Sequence, residues 1–115
     1  MLYKSTRNSQ LRLEVSQVIA QGISDEGGLF VPESFPNLSG ELSDLAKLDY
    51  PALAKVIFQK FLTDFTQEEI SSCVEKAYTS EKFGDACPVK LVPLTDHGEN
   101  KFLLELWHGP TCAFK

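Results

Sequence analysis

Residues 21–32 read Q-G-I-S-D-E-G-G-L-F-V-P, and the character of the chain changes within them. Just upstream, Val15, Val18 and Ile19 recur at helical spacing, which predicts a helix from Leu13 to Gln21. Gly22 follows directly, as a helix stop should. Asp25-Glu26-Gly27-Gly28 is predicted as a turn, because paired glycines accept positive φ at no steric cost. Leu29-Phe30-Val31, closed by Pro32, is then expected to be a short buried strand. A phosphate-binding loop is a poor reading of Gly27-Gly28. Such loops place their glycines before a helix N-terminus, and here an apparent strand follows.

Working outward, Leu2 to Thr6 alternates as a short strand would. Pro32 to Gly40 is rich in proline and serine and is expected to be loop. Leu42, Leu45 and Leu48 suggest a helical turn. Asp49 or Tyr50 can cap the next helix, with Pro51 at its tolerated first turn. Leu53, Val56, Ile57, Lys60 and Phe61 keep the helical period to about Leu62. Thr66-Gln67-Glu68-Glu69 is a capping box, opening a helix whose apolar stripe is Ile70, Cys73, Val74, Ala77 and Tyr78. That stripe places Cys73 in the core. A short loop between these two helices predicts an antiparallel pair. After Pro88 the period drops to two. Val89 to Leu94 and Lys101 to Leu106 read as a β-hairpin, with Pro93 suited to an edge or a strand end. The fold class is therefore α+β. A small, mostly antiparallel sheet is expected from the N-terminal, Leu29–Val31, Val89–Leu94 and Lys101–Leu106 segments, with helices packed on it.

The 115 residues suit one compact domain, and 43% hydrophobic with 23% charged residues is ordinary for a globular protein. A net charge of −5 with scattered Lys and Arg argues against nucleic acid. Cys73, Cys87 and Cys112 match no C-x-x-C motif and read as free thiols in a reducing compartment. The longest apolar run, Phe102 to Trp107, is broken by Glu105, so no membrane span is expected. M-L-Y-K-S-T-R lacks the apolar stretch of a signal peptide, and the expected location is cytoplasmic. His108, Cys112, His97 and Cys87 show no recurrent zinc spacing. His108, before Gly-Pro, is expected to be a loop residue with a satisfied hydrogen bond, and His97 an exposed turn residue. Glu68, Glu69, Glu75, Glu81 and Asp85 read as solvated helix faces. The ending on Ala-Phe-Lys has no polar run-out and looks cut.

Residues 103–115 read L-L-E-L-W-H-G-P-T-C-A-F-K. This resembles the cofactor-lysine motif of threonine synthases, L-E-L-F-H-G-P-T-L-A-F-K-D. Gln21 to Pro32 resembles the family's Q-G-L-A-x-D-G-G-L-F-V-P, and Tyr3 to Arg7 its opening Y-x-S-T-R. The three matches occur in family order and span the chain. Trp107 stands where Phe is usual, and Cys112 where Leu is usual. By composition alone Lys115 would be an ordinary solvated lysine; the motif reverses that.

The resemblance implies the N-terminal domain of a fold-type II pyridoxal-phosphate enzyme at 1–85 and the start of the catalytic domain at 86–115. It implies conversion of O-phospho-L-homoserine and water to L-threonine and phosphate, a carbon–oxygen lyase reaction. Lys115 would bind pyridoxal 5'-phosphate as a Schiff base and shuttle protons from Cα and then Cβ. A free lysine has a pKa of about 10.4, so the enzyme must lower it by burial or a nearby cation. The cofactor ring would be the electron sink. His108, Thr111 and Phe114 are expected to shape the loop that presents the lysine. By this reading the 115 residues alone are inactive and do not retain the cofactor, whose phosphate loop lies downstream. Apolar surface near Phe102 to Phe114 would be exposed and would drive self-association. Two alternatives stand beside it: a non-catalytic folding or interaction module of a threonine-synthase-like protein, and a related lyase such as a serine or threonine dehydratase.

Overall fold

The computed structural model describes residues 1–98 and 100–111. Strand β1 (Tyr3–Ser5) pairs antiparallel with β2 (Phe30–Pro32), Tyr3 opposite Pro32 and Ser5 opposite Phe30. On its other side Tyr3 exchanges backbone hydrogen bonds of 2.9 and 3.0 Å with Leu13. That bridge holds Leu13 extended, so helix α1 spans Val15–Gln21, two residues shorter than its periodicity suggests. Gln17 accepts from the Glu14 amide at the helix start. At the other end Gly22 turns to φ 78° and donates to the Val18 carbonyl, as the stop predicted.

Helix α2 (Leu42–Leu45) is a single turn. Helix α3 (Tyr50–Phe61) is capped by Asp49, whose carboxylate accepts from the Ala52 amide at 2.8 Å, with Pro51 in the first turn. Helix α4 (Gln67–Ala77) opens on the predicted capping box. Thr66 Oγ accepts from the Glu69 amide, and the Glu69 carboxylate accepts from the Thr66 amide. Helices α3 and α4 pack together, and a Lys55–Glu75 ion pair of 2.7 Å joins them far from the connecting turn, as antiparallel helices require. A further short helix, α5 (Ser80–Phe83), has no clear periodic signal. Strand β3 (Lys90–Pro93) then pairs antiparallel with β4 (Phe102–Glu105), with Pro93 at its end and a 3-10 turn at Thr95–His97 between them. The side chain of His97 lies outside the description.

The architecture is α+β, but the strands form two separate two-stranded ribbons and not one sheet. The apolar core is thin: Tyr3, Val15, Ile70 and Val74 supply its buried side chains. The radius of gyration is 16.9 Å, against about 13 Å for a compact domain of this length. Two burial expectations, for Leu29 and Cys73, fail for that reason. Leu29 is 65% exposed, and Ile19 is 60% exposed, because among the described residues no second layer covers β2 or the outer face of α1. Cys73 is exposed, because only the Ile70–Val74 edge of α4 is covered. Conversely, the expected apolar exposure around the hairpin is present: Leu91, Phe102, Leu103, Leu104, Leu106 and Trp107 are all open.

Hydrogen bonds tie the N-terminal ribbon and α1 to the helix pair. The Tyr3 hydroxyl donates to the Phe61 carbonyl at the end of α3, and the Ser16 amide donates to Asp64 in the loop beyond. The terminal ammonium of Met1 also meets Thr63. A helix C-terminus leaves carbonyls without helical partners, and Tyr3 satisfies one of them. Burial and the nearby Asp64 carboxylate push the Tyr3 phenol above its usual pKa.

Candidate active site

Two of the three motifs meet in space. The turn after α1 brings Ser24 to Gly28 against Ser5, Thr6 and Arg7. The Thr6 amide donates to the Leu29 carbonyl, and the Leu29 amide donates back to Thr6 Oγ1 at 3.0 Å. Arg7 Nη1 donates to the Glu26 carbonyl at 3.0 Å. Ser24 Oγ donates to the Glu26 carboxylate at 2.6 Å, and Ser5 Oγ accepts from the Arg7 amide at 3.1 Å. Ser5 and Ser24 are both buried. Hydrogen bonds from the Ser24 hydroxyl, and next from that of Ser5, hold the Glu26 carboxyl below its ordinary pKa.

The two glycines do different jobs here. Gly27 adopts φ 79°, as the turn reading requires. Gly28 is needed for space: a methyl group there would overlap the Ser5 hydroxyl and press on the Arg7 backbone nitrogen at 3.1 Å. This interlock is fully hydrogen-bonded and packs motif on motif, so its role is to hold the ribbon.

The third motif begins where β4 ends. His108 Nε2 and Glu105 Oε2 lie 2.6 Å apart, which gives the predicted loop histidine its partner. The Trp107 ring lies beside the imidazole, centroids 5.6 Å apart. Gly109 lies against Phe83, where an added Cβ would stand 3.2 Å from the ring. The Phe83 ring lies tilted against Tyr78 at 6.0 Å and Tyr78 meets Tyr50 edge to face at 5.1 Å, so a ladder of rings runs from the helix pair to the His-Gly-Pro turn. Burial raises the Tyr50 phenol above its usual pKa, and Tyr78 adds to the effect. Sequence reasoning passed over Glu105 as a partner. Its signal was available, since it is the one charge within L-L-E-L-W and stands three residues before His108.

Lys115, the candidate cofactor lysine, lies outside the described residues, as do Cys112 and Phe114. Thr111 is an exposed turn residue. Among the described residues no phosphate cradle is formed. Of the positive-φ glycines, Gly22 and Gly84 end helices, Gly27 leads into β2 and Gly98 lies in the hairpin turn.

A two-ribbon α+β unit with these interlocked motifs defines the class, and comparison with known proteins gives the family. The family model "Threonine synthase N terminus" matches residues 2–78. The chain belongs to the threonine synthase family through this N-terminal region. It is 36% identical to the threonine synthase of Corynebacterium glutamicum, over all of this chain and 24% of that protein. It is 31% identical to that of Methylobacillus glycogenes, over all of this chain and 25% of the relative. Human threonine synthase-like 1 is 36% identical over 87% of this chain and 14% of its own length. A crystal structure of threonine synthase from Brucella melitensis, described as bound to PLP, superposes with a TM-score of 0.84 at 29% identity, covering 99% of this chain and 24% of that one. The chain thus spans about a quarter of the length of the threonine synthases it matches.

Proposed function

We propose that this chain serves a pyridoxal-phosphate-dependent threonine synthase, converting O-phospho-L-homoserine and water to L-threonine and phosphate, with Lys115 as the cofactor-binding and catalytic lysine. The observation that carries the reading is the order of motifs: Y-K-S-T-R, Q-G-I-S-D-E-G-G-L-F-V-P and L-E-L-W-H-G-P-T-C-A-F-K, the first two within the family match. The cofactor, when bound, supplies an electron sink for the carbanion formed at Cα. The Lys115 amine holds the cofactor and then moves protons at Cα and Cβ of the substrate. The N-terminal ribbon and helix pair form a unit at 1–85, and 86–115 opens the catalytic part; the family match ending at residue 78 supports that division. Among the described residues no helix is long and apolar enough to cross a membrane, and the proposed location is the cytoplasm. The open apolar hairpin favours self-association of the isolated 115 residues, and sedimentation showing a monomer at all concentrations would remove that idea.

The test is chemical trapping. Pyridoxal phosphate is added to the full-length protein, borohydride fixes it to any lysine holding it, and peptide mapping locates the label. Label on Lys115 supports the reading; label spread over surface lysines, or none, counts against it. The similarity to human threonine synthase-like 1 favours one second reading, a threonine-synthase-like protein with altered chemistry. Label on Lys115 without threonine formation would select it.

A further inference from the structure

The proposed reaction leaves one well-defined polar pair unused. Glu105 and His108 sit at the end of β4, their side chains 19% and 24% exposed, with Oε2 and Nε2 2.6 Å apart. A carboxylate only accepts, so Nε2 carries the hydrogen, and in the neutral ring Nδ1 is left as an acceptor. Lys90 stands opposite Glu105 across the ribbon, and its ammonium lies 3.7 Å from Asp85. The turn that carries the imidazole is pinned from the other side, where Gly109 abuts Phe83 at the end of the aromatic ladder. Two independent contacts, one polar and one steric, thus fix the chain path seven residues or fewer before Lys115.

We propose that Glu105 and His108 are positioning residues for Lys115: the carboxylate locks the imidazole as its Nε2–H tautomer, and the locked turn sets where the lysine-bearing segment starts. This rests on the reading of Lys115 as the cofactor lysine. The substrate-facing chemistry remains with the lysine. The pair acts through the geometry of the turn, and a displacement of about 1 Å in a reacting group is enough to cost about a hundredfold in rate.

The experiment has a spectroscopic arm and a kinetic arm. On the 115-residue chain, nitrogen NMR of the His108 ring should show a protonated Nε2 and a bare Nδ1, and Glu105→Leu should let the tautomers mix. In the full-length protein, Glu105→Leu should slow both borohydride trapping at Lys115 and kcat by about tenfold or more, with KM for O-phosphohomoserine little changed. Glu105→Gln, whose amide oxygen still accepts from Nε2–H, should recover most of the loss, which a merely destabilising change would not predict. Wild-type turnover in Glu105→Leu, or an Nδ1–H tautomer in the wild type, overturns the proposal while leaving Lys115 in place. Wild-type protein that neither traps the cofactor nor turns over removes the Lys115 reading, and the positioning role falls with it.

Discussion

Gly28→Ala is the sharpest perturbation the fold offers. The backbone of Gly28 is not at positive φ, so alanine meets no conformational penalty there, and the cost is steric alone. The new methyl would overlap Ser5 Oγ and crowd the Arg7 nitrogen and Cβ at 3.1 and 3.2 Å. Ser5 is 3% exposed and cannot swing into solvent. Either its hydroxyl rotates, losing its bond to the Arg7 amide, or β1 moves off the turn, losing the paired Thr6–Leu29 bonds. The first route forfeits one hydrogen bond and the second two, at about 1 kcal/mol each. Residual overpacking adds about 1 kcal/mol, giving a loss of about 2 to 3 kcal/mol. Urea unfolding of the 115-residue chain, followed by circular dichroism, measures it. Gly40→Ala is the control: nothing lies within 4 Å of its added Cβ, and its change should stay within about 0.5 kcal/mol. Ser5→Ala removes the overlapping oxygen, so the double variant should lose less than the sum of the single losses, by about 1 kcal/mol or more. A Gly28→Ala loss below about 1 kcal/mol, or strict additivity with Ser5→Ala, would refute the interlock.

Two further outcomes follow from the same contacts. Thr66→Ala removes the cap of α4 and leaves Glu69 reaching back without its reciprocal bond; the expected loss is about 1 kcal/mol, read by the same unfolding curve. Stability should also fall on the acid side. Asp64 is pushed up by desolvation, but hydrogen bonds from the Ser16 hydroxyl and amide outweigh this and leave its pKa below the ordinary 3.8. Glu26 is likewise held below 4.5. A carboxylate lowered in the fold binds its proton more readily when unfolded, so its contribution is complete above the ordinary value and is lost as pH falls through the folded one. Unfolding midpoints measured from pH 6 down to about pH 2 should therefore drop below about pH 4.5, and Ser24→Ala should make the drop shallower. A flat acid limb would contradict the assignment.

Local signals in the sequence translated well into local structure. Thr66 and Glu69 form the reciprocal cap their spacing demands, Asp49 caps α3, and Gly22 ends α1. Such features depend on residues within a turn of one another. Burial did not translate as well, because periodicity marks which face is apolar but not what covers it. Cys73 and Ile19 share apolar faces with Val74 and Val15, yet stand exposed where, among the described residues, no element lies over them. The relatives are about four times longer, so such faces have more chain to meet in them. Gly28 was legible as a turn glycine, but its true constraint, the Ser5 hydroxyl, comes from a residue far away in sequence. For the candidate site, the motif around Lys115 was readable only as a resemblance. The Glu105–His108 pair needed coordinates, since a strand end followed by a turn is what brings the two side chains together.

The measurement that bears most directly on the central claim is turnover of O-phospho-L-homoserine by the full-length protein beside its Lys115→Ala variant, with phosphate and threonine quantified together. The account predicts equal amounts of both products from the wild type and neither from the variant. Undiminished turnover in Lys115→Ala would contradict it, as would a cofactor-loaded wild type that releases no phosphate.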